Sequence, residues 1–469
     1  MNRSHFITLL SLLTLLNPVF TFSQTNQKAT GNWSGTIDLP TAKLEMIFKI
    51  SENESGKLVS KLDVPAQGAK DLPVADTKIS GDSIFLNVAM ILGKYEGKFT
   101  SDSTMEGTWK QSGMNFPLSF KKTQVVTELK RPQTPKPPFP YTSEDVEYMN
   151  PASGLKLAGT LTLPANAIKC PAVILISGSG AQDRNETIFG HKPFLVIADY
   201  LTRKGIAVLR VDDRGVGGSE GNTANATSED FAGDVIAGLD FLKTRNEIDH
   251  KKTGLIGHSE GGLIAPLVAT KSKDVAFIVL LAGPGIKGEQ IIYSQVENFN
   301  RAAGLSEEQI NQKMDTEKAV LDILLNQKDS SARIEQLQNV LSESSYNTLS
   351  ADQKKAIDIQ TKAVNTPWFR FFLAYDPFPV LEKVKCPVLA LNGAKDLQVP
   401  PKENLEAIKK ALTEGGNKNF KTMEIPGLNH LFQHCKTCLV SEYATIEETI
   451  SPEVLEIIYN WIWNSALKD

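Results

Sequence analysis

Beyond residue 140 the sequence alternates between two hydrophobic periods, and this limits the possible folds more than any other feature of its 469 residues. Ala172-Val173-Ile174-Leu175-Ile176 and Ile206-Ala207-Val208-Leu209-Arg210-Val211 are mainly apolar runs of strand length. Between them, 194–204 reads as a helix stopped by Gly205. Next, 228–245 places Phe231, Val235, Leu239 and Leu242 on one helical face, and further strands are expected at 253–256, 277–281, 388–391 and near 423–425. Strands that are apolar throughout are buried on both faces. Alternation with amphipathic helices therefore predicts an α/β fold with a doubly wound, mostly parallel sheet.

Between 288 and 378 the alternation stops. Ser306-Glu307-Glu308-Gln309 and Ser350-Ala351-Asp352-Gln353 are capping boxes that open helices, and the stretch offers no strand. A helical insertion at this point of a sheet protein is expected to be a lid. It closes on Pro367-Trp368-Phe369-Arg370-Phe371-Phe372-Leu373-Ala374-Tyr375. Such clusters are more often core than ligand contact, but a lid's inner face roofs the pocket, which makes Trp368, Phe371 and Phe372 candidates for an apolar substrate pocket. The last helix is capped by Ser451, has Pro452 at its first position, and turns Val454, Ile458, Trp461 and Ile462 toward the sheet.

Upstream, Arg131-Pro132-Gln133-Thr134-Pro135-Lys136-Pro137-Pro138-Phe139-Pro140 holds five prolines and is expected to be a stiff, extended linker. Before it, short alternating runs such as Leu44 to Ile50 and Asp82 to Val88, separated by Gly, Asn, Asp and Ser, predict a small all-β domain, a meander or barrel. It contains no histidine and no catalytic constellation, and is read as an accessory domain. At the N-terminus, Arg3 precedes the apolar run Phe6 to Leu16, and small residues before Gln24 suit a signal-peptidase cut. The expected division is a signal peptide at 1–23, an all-β domain at 24–125, a linker at 126–141, a core in two parts at 142–287 and 379–469, and a lid at 288–378. The mature chain would be exported, to the periplasm or outside the cell, without stable membrane insertion.

Composition narrows the function. With 41% hydrophobic and 22% charged residues the chain is an ordinary globular one, neither disordered throughout nor multiply membrane-spanning. Its net charge of −4, with no basic run, excludes a nucleic-acid partner. Four cysteines are too few for a disulfide scaffold, and no feature sets an oligomeric state.

The chemistry is concentrated in Gly257-His258-Ser259-Glu260-Gly261-Gly262, placed between a short apolar strand and a helix. A serine on such a turn projects its Oγ from the carboxyl edge of the sheet, and small neighbours allow the backbone to crowd there. A hydroxyl needs a base before it can attack. Of six histidines, His5 lies in the leader, His250 in a charged turn, and His191 beyond the Ser177–Gly180 loop. His258 adjoins the serine and should point away from its Oγ. His430, in the loop Pro426-Gly427-Leu428-Asn429-His430 after the last strand, is favoured over His434. Asp396, just after the strand 388–391, is favoured as the acid that orients the base, over Asp376 at the end of the lid. The backbone N–H of Glu260 and that of Ser179, in Ser177-Gly178-Ser179-Gly180, are the expected oxyanion donors. This chemistry needs no metal or organic cofactor. His430, His434, Cys435 and Cys438 could be drawn as a zinc site, but that would take the base from the serine; an oxidised Cys435-Cys438 pair suits an exported protein. Cys170 and Cys386 are read as packing residues.

Ser177–Arg184 (SGSGAQDR), Asp212–Ser219 (DDRGVGGS), GHSEGG, Asp396 and Asn429-His430 together resemble the α/β-hydrolase superfamily, most closely the bacterial EstD-like carboxylesterases and the related serine aminopeptidase-type hydrolases, some of which carry an N-terminal β domain. The resemblance runs from about Tyr141 to the C-terminus. It implies hydrolysis of small carboxylic esters. The family often opens its oxyanion loop with histidine, where this chain has Ser177. Asp183, Arg184, Asp213 and Arg214 fit its motifs too, and are read as Asp–Arg pairs that hold loops. Beside the esterase stand two alternatives: a peptidase acting on short peptides, which would need an acidic anchor for a free amino terminus, and a non-catalytic binding protein on the same fold.

Overall fold

The computed structural model describes residues 28–39, 42–53, 55–67, 69–111, 114–124, 130–342 and 345–467. The expected signal peptide, 1–23, lies outside the described residues. The chain forms two compact units; the second takes in Glu128–Asp469 together with the short stretches Pro40–Ala42 and Pro65–Gly68.

The first unit is a nine-stranded antiparallel sheet: β1 (Gly31–Leu39), β2 (Ala42–Glu52), β3 (Leu58–Val64), β4 (Ala69–Pro73), β5 (Asp76–Ser80), β6 (Ser83–Val88), β7 (Gly93–Ser101), β8 (Thr104–Gln111) and β9 (Met114–Thr123), in the order β4-β3-β2-β1-β9-β8-β7-β6-β5. The sheet curls into a half-barrel. Its two ends approach where Val74 N–H donates to the Ser60 carbonyl at 3.1 Å and the Thr77 hydroxyl meets that of Ser60 at 2.8 Å. Alternate residues point inward, so Trp33, Phe48, Tyr95, Trp109 and Phe120 fill the interior in tilted and edge-on ring contacts.

The second unit holds an eight-stranded sheet: β10 (Thr142–Asn150), β11 (Leu155–Leu163), β12 (Cys170–Ile176), β13 (Ala207–Val211), β14 (Ile248–His258), β15 (Phe277–Leu281), β16 (Val388–Gly393) and β17 (Phe420–Ile425), in the order β10-β11-β13-β12-β14-β15-β16-β17. From β13 to β17 every pairing is parallel. The antiparallel hairpin β10–β11 has polar residues in alternation, so it does not stand out as a buried run. Helices α1 (Pro193–Arg203), α2 (Ser228–Lys243), α3 (Glu260–Lys271), α10 (Pro401–Glu414) and α12 (Pro452–Trp461) cover the two faces. One core contains Leu239, Leu263 and Ile408; the other contains Phe194, Ile197, Val454, Ile458, Trp461 and Ile462. Ser451 stands at the expected N-cap, but its side chain makes no capping bond; its own N–H goes to the Phe432 carbonyl at 2.8 Å.

Between β15 and β16 the insertion is helical: α4 (Gly288–Ala302), α5 (Glu307–Asn326), α6 (Ser330–Leu341), α7 (Ala351–Val364), α8 (Pro367–Ala374) and α9 (Phe378–Leu381). Both capping boxes form, with Ser306 and Gln309, and Ser350 and Gln353, each satisfying the other's backbone N–H. The short α11 (Val440–Tyr443) follows β17. Among the described residues, no helix is long and apolar enough to cross a membrane.

The proline-rich segment differs from a free spacer at its start. The Arg131 guanidinium donates to the carbonyls of Phe189, Ala444 and Ile446, at 2.6, 2.7 and 3.1 Å, and the Gln133 amide donates to the Ile450 carbonyl at 2.8 Å. Prolines remove the segment's own donors, so these two side chains do the docking.

Candidate active site

Ser259 follows β14 and caps α3 with φ 52° and ψ −116°, a backbone region that a non-glycine residue enters at a cost of about 1–3 kcal/mol. The glycines around it permit the turn: a β-carbon on Gly257 would overlap the Gly261 carbonyl, and one on Gly261 would overlap the Ile176 carbonyl. The Ser259 N–H is fixed to the Leu281 carbonyl at 2.8 Å. The side chain therefore leaves the sheet at the carboxyl ends of β12, β14 and β15.

Two loops from the same edge supply the other expected residues. Asp396 follows β16, its N–H bonded to the Gly393 carbonyl at 3.0 Å. Its Oδ1 accepts the N–H groups of Gln398 and Val399 at 2.8 and 3.0 Å, and its Oδ2 lies 2.7 Å from His430 Nδ1. Both side chains are buried. That contact assigns the Nδ1 proton to the aspartate side and leaves Nε2 as the basic nitrogen. Asn429 holds the His430 loop: its Oδ1 accepts from Leu431 and Gln433 N–H at 3.0 and 2.9 Å.

The loop after β12 carries Ser177 and Gly178, and a β-carbon on Gly178 would lie 3.2 Å from that of Ser259. The Gly178 N–H donates to Glu186 Oε1 at 2.7 Å, whereas the Ser179 N–H has no protein acceptor among the described residues. As the first helical residue, Glu260 has no intrahelical acceptor for its N–H. Neither of the two backbone N–H groups singled out in the sequence thus has a protein acceptor among the described residues.

The Glu260 side chain is buried. Its Oε1 accepts from the Ser228 hydroxyl at 2.6 Å and from the Trp368 indole N–H at 2.8 Å, and burial raises its pKa. Trp368 thereby ties the lid to the elbow. Phe372 stacks on Trp368 and is buried in the main core, and Phe371 pairs with Tyr375. A cavity of about 40 Å³ beside the elbow, the size of a few waters, is lined by Ser177, Gly178, Asp213, Glu260, Phe231 and Val235, among others. Within it burial pushes the Asp213 carboxyl up to about 7, although Gln182 N–H and the Ser177 hydroxyl bind it; the nearby Glu260 and Glu186 carboxyls add to the rise.

Of the charged motif residues, the two arginines form pairs that hold loops, but with Asp212 and Asp234 rather than with Asp183 and Asp213. Arg184 grips Asp212 through Nε at 3.1 Å and Nη2 at 2.7 Å, and Arg214 grips Asp234 through Nε at 2.7 Å and Nη2 at 2.9 Å. Asp183 instead caps its own turn, accepting from Asn185 and Thr187. The remaining histidines lie elsewhere. His191 is fully buried between Thr449 and the Tyr443 carbonyl. His250 belongs to β14 rather than to a turn, and His434 meets Glu448 at 2.9 Å. Asp376 accepts the Phe378 N–H at 3.0 Å at the start of α9. Cys435 and Cys438 form a disulfide, while Cys170 and Cys386 are unpaired. Among the described residues, no group of three or more His, Cys, Asp or Glu is placed to hold a metal ion. Sequence reasoning missed Glu186, which sits with φ 51° and reaches the elbow from a separate loop; nothing in its local pattern marks it.

A mostly parallel sheet with helices on both faces, a strained serine elbow and a helical insertion before the acid define an α/β hydrolase. Residues 192–434, just over half of the chain, match the family described as serine aminopeptidase, S33. The chain belongs to this family of hydrolases. It is 25% identical over 337 residues, 71% of its own length and 69% of the other's, to "Esterase EstD" of Thermotoga maritima. It is 24% identical over 272 residues, 56% of its length and 86% of the other's, to an "uncharacterized 31.7 kDa protein" of Escherichia coli. Among solved structures, Est1E of Butyrivibrio proteoclasticus with ferulic acid bound is 20% identical, with a TM-score of 0.41 over 69% of this chain and all of that one.

Proposed function

We propose that the second unit is a serine esterase that cleaves small carboxylic esters through Ser259, His430 and Asp396. The observation that carries this reading is the buried 2.7 Å contact of His430 with Asp396 at the sheet edge where the strained Ser259 turn emerges. His430 Nε2 takes the Ser259 proton as Oγ attacks the ester carbonyl. The N–H groups of Glu260 and Ser179 hold the oxyanion. His430 then protonates the leaving alcohol, and water releases the acyl group by the reverse relay. The likeness to an esterase of Thermotoga maritima supports the ester as substrate.

The test is a panel of p-nitrophenyl esters and aminoacyl amides of graded size, together with fluorophosphonate labelling. Esters are expected to be cleaved faster than amides, and labelling is expected to vanish in Ser259→Ala with folding retained. Faster amide cleavage would instead favour a peptidase. One observation lends that second reading weight: the family the chain matches is described as serine aminopeptidase. An unlabelled, folded wild-type chain would point to a binding protein.

We also propose export, with cleavage before Gln24, to the periplasm or the extracellular space. The leader pattern and the Cys435–Cys438 disulfide support it. An N-terminal mass of the native protein that retains residues 1–23 would refute it.

A further inference from the structure

We propose that Glu186 and His258 form a charged clamp that positions both the oxyanion loop and the loop carrying His430. The proposal rests on the triad reading given above but concerns residues outside the triad.

His258 Nδ1 lies 2.9 Å from Glu186 Oε1, and His258 Nε2 lies 3.1 Å from the His430 carbonyl oxygen. A carboxylate and a carbonyl only accept. Both ring nitrogens must therefore carry protons for both bonds to exist, which makes His258 an imidazolium paired with Glu186. The same Glu186 oxygen accepts the Gly178 N–H at 2.7 Å. One ion pair thus joins three pieces of the chain: the loop after β12, the residue before Ser259, and the main chain of the proposed base. Asp396 fixes the His430 ring, and His258 fixes its backbone. Because Gly178 N–H is held by Glu186, the next N–H, that of Ser179, is the one left to face an oxyanion.

The pair is buried, with Glu186 4% and His258 7% exposed. The titratable groups facing it are His430, whose ring centroid lies 4.9 Å from that of His258, Asp396 from the loop after β16, and Asp213 on the side of Glu186. A cavity against the pair is lined by apolar residues, Pro193, Phe194 and Ile197 of α1 with Leu281, Leu431 and Phe432 among them. Burial favours the neutral ring, but the Glu186 charge, its hydrogen bond and the His430 carbonyl outweigh it, and the His258 pKa is raised. When pH rises past that pKa, a neutral ring can keep only one of its two bonds, so either the oxyanion loop or the His430 loop is released.

Nuclear magnetic resonance of the full-length chain labelled with ¹⁵N-histidine tests the charge directly, with the His258 signals assigned by their loss in His258→Gln. Both ring nitrogens are expected to be protonated at pH 7; a neutral ring would overturn the clamp. Glu186→Gln then tests positioning on a p-nitrophenyl ester, with active protein counted by fluorophosphonate titration. A fall in kcat of roughly 10- to 100-fold is expected, from misplacement of reacting groups. KM should stay within about threefold, since ground-state binding is not the target. The alkaline limb of kcat should move to lower pH, because the charge that raises the His258 pKa is gone. A loss of active fraction without a shifted limb would overturn the clamp, leaving only a structural role. The resonance experiment on the wild type stands if the variant does not fold. Failure of wild-type labelling would reject the triad reading and leave the His258 charge a separate result.

Discussion

Acid should unfold the second unit partly through one residue, His191. Its ring is fully buried, with Nδ1 2.9 Å from the Thr449 hydroxyl and Nε2 3.0 Å from the Tyr443 carbonyl. A neutral ring suits this setting: the Thr449 hydroxyl can donate to Nδ1 or accept from it, and Nε2, which also has the Gln433 amide nitrogen at 3.1 Å, either donates to the Tyr443 carbonyl or accepts from that amide. Burial lowers its pKa from 6.5 to about 4, and the Arg131 guanidinium adds repulsion. A histidine with a lowered folded pKa stays neutral in the native state while the unfolded chain takes up the proton. Stability is therefore full above about 6.5 and is lost as pH falls toward 4. The difference of 2.5 units, at about 1.4 kcal/mol each, gives about 3.5 kcal/mol, most of it lost by pH 4, against the 5–15 kcal/mol typical of a domain. Substitution by glutamine keeps one donor and one acceptor but cannot titrate. Hydrogen exchange of peptides covering Ile248–His258, in the centre of the sheet, reports opening of this unit once intrinsic rates are corrected for pH. At pH 7 His191→Gln should be less stable than wild type by about 1 kcal/mol, from imperfect fit. At pH 4 the order should reverse, the variant gaining about 3 kcal/mol relative to wild type over the interval. Parallel curves from pH 7 to 4 would show that His191 is not a buried neutral ring and would refute the reasoning.

Asp396→Asn should lower kcat on a p-nitrophenyl ester by roughly 10⁴-fold, because the amide no longer stabilises the imidazolium and favours the wrong tautomer; a loss under tenfold in steady-state kinetics would remove it from the triad. Asp213 has the opposite titration sign. Its folded carboxyl holds a proton up to about 7 while the unfolded one ionises near 3.9, so stability falls as pH rises between these values. Asp213→Asn should therefore gain about 2 kcal/mol relative to wild type between pH 4 and pH 8, after allowance for partial exposure, as read by urea unfolding at each pH. Trp368→Phe deletes the indole donor to the buried Glu260 and should cost about 1–2 kcal/mol, with faster hydrogen exchange in α8; unchanged exchange there would show that the bond does not hold the lid. Reduction of Cys435–Cys438 should destabilise the turn that presents three N–H groups to Glu442 by about 1–2 kcal/mol, measured as a lower melting temperature in dithiothreitol.

What the sequence made legible was whatever depends on local pattern. The parallel strands Cys170–Ile176, Ala207–Val211, Phe277–Leu281 and Val388–Gly393 are buried on both faces and so appear as apolar runs, and the capping boxes at Ser306 and Ser350 form because their bonds close within four residues. Ser259 was legible for the same reason: its neighbours are crowded by one another. His430 and Asp396 were located only by their place after strands, since a parallel sheet sends every such loop to one edge. The hairpin Thr142–Asn150 and Leu155–Leu163 escaped notice because its first strand alternates exposed and partly buried residues, Asp145, Val146 and Glu147 among them.

The aromatic run of the lid shows how one sequence cluster divides among different surroundings. Trp368 and Phe372, four residues apart, stack on one face of the helix, while Phe371 is turned toward Tyr375. Phe372 enters the main core, Phe371 meets Tyr375, and only Trp368 reaches the elbow, through a hydrogen bond to Glu260 rather than through its ring face. The polar contacts that join distant loops were the hardest to read. Glu186 and His258 are 72 residues apart, and His258 and the His430 carbonyl 172 apart. No spacing encodes those distances, and one partner in the second contact is a main-chain oxygen, which has no residue identity. The burial of charge makes the link consequential: inside an apolar shell an imidazolium must have its carboxylate, so the loop of Glu186 cannot drift without stranding a charge next to Ser259. Geometry at the serine is thus expected to be set as much by Glu186, on a loop with no catalytic signature, as by the glycines of the elbow itself.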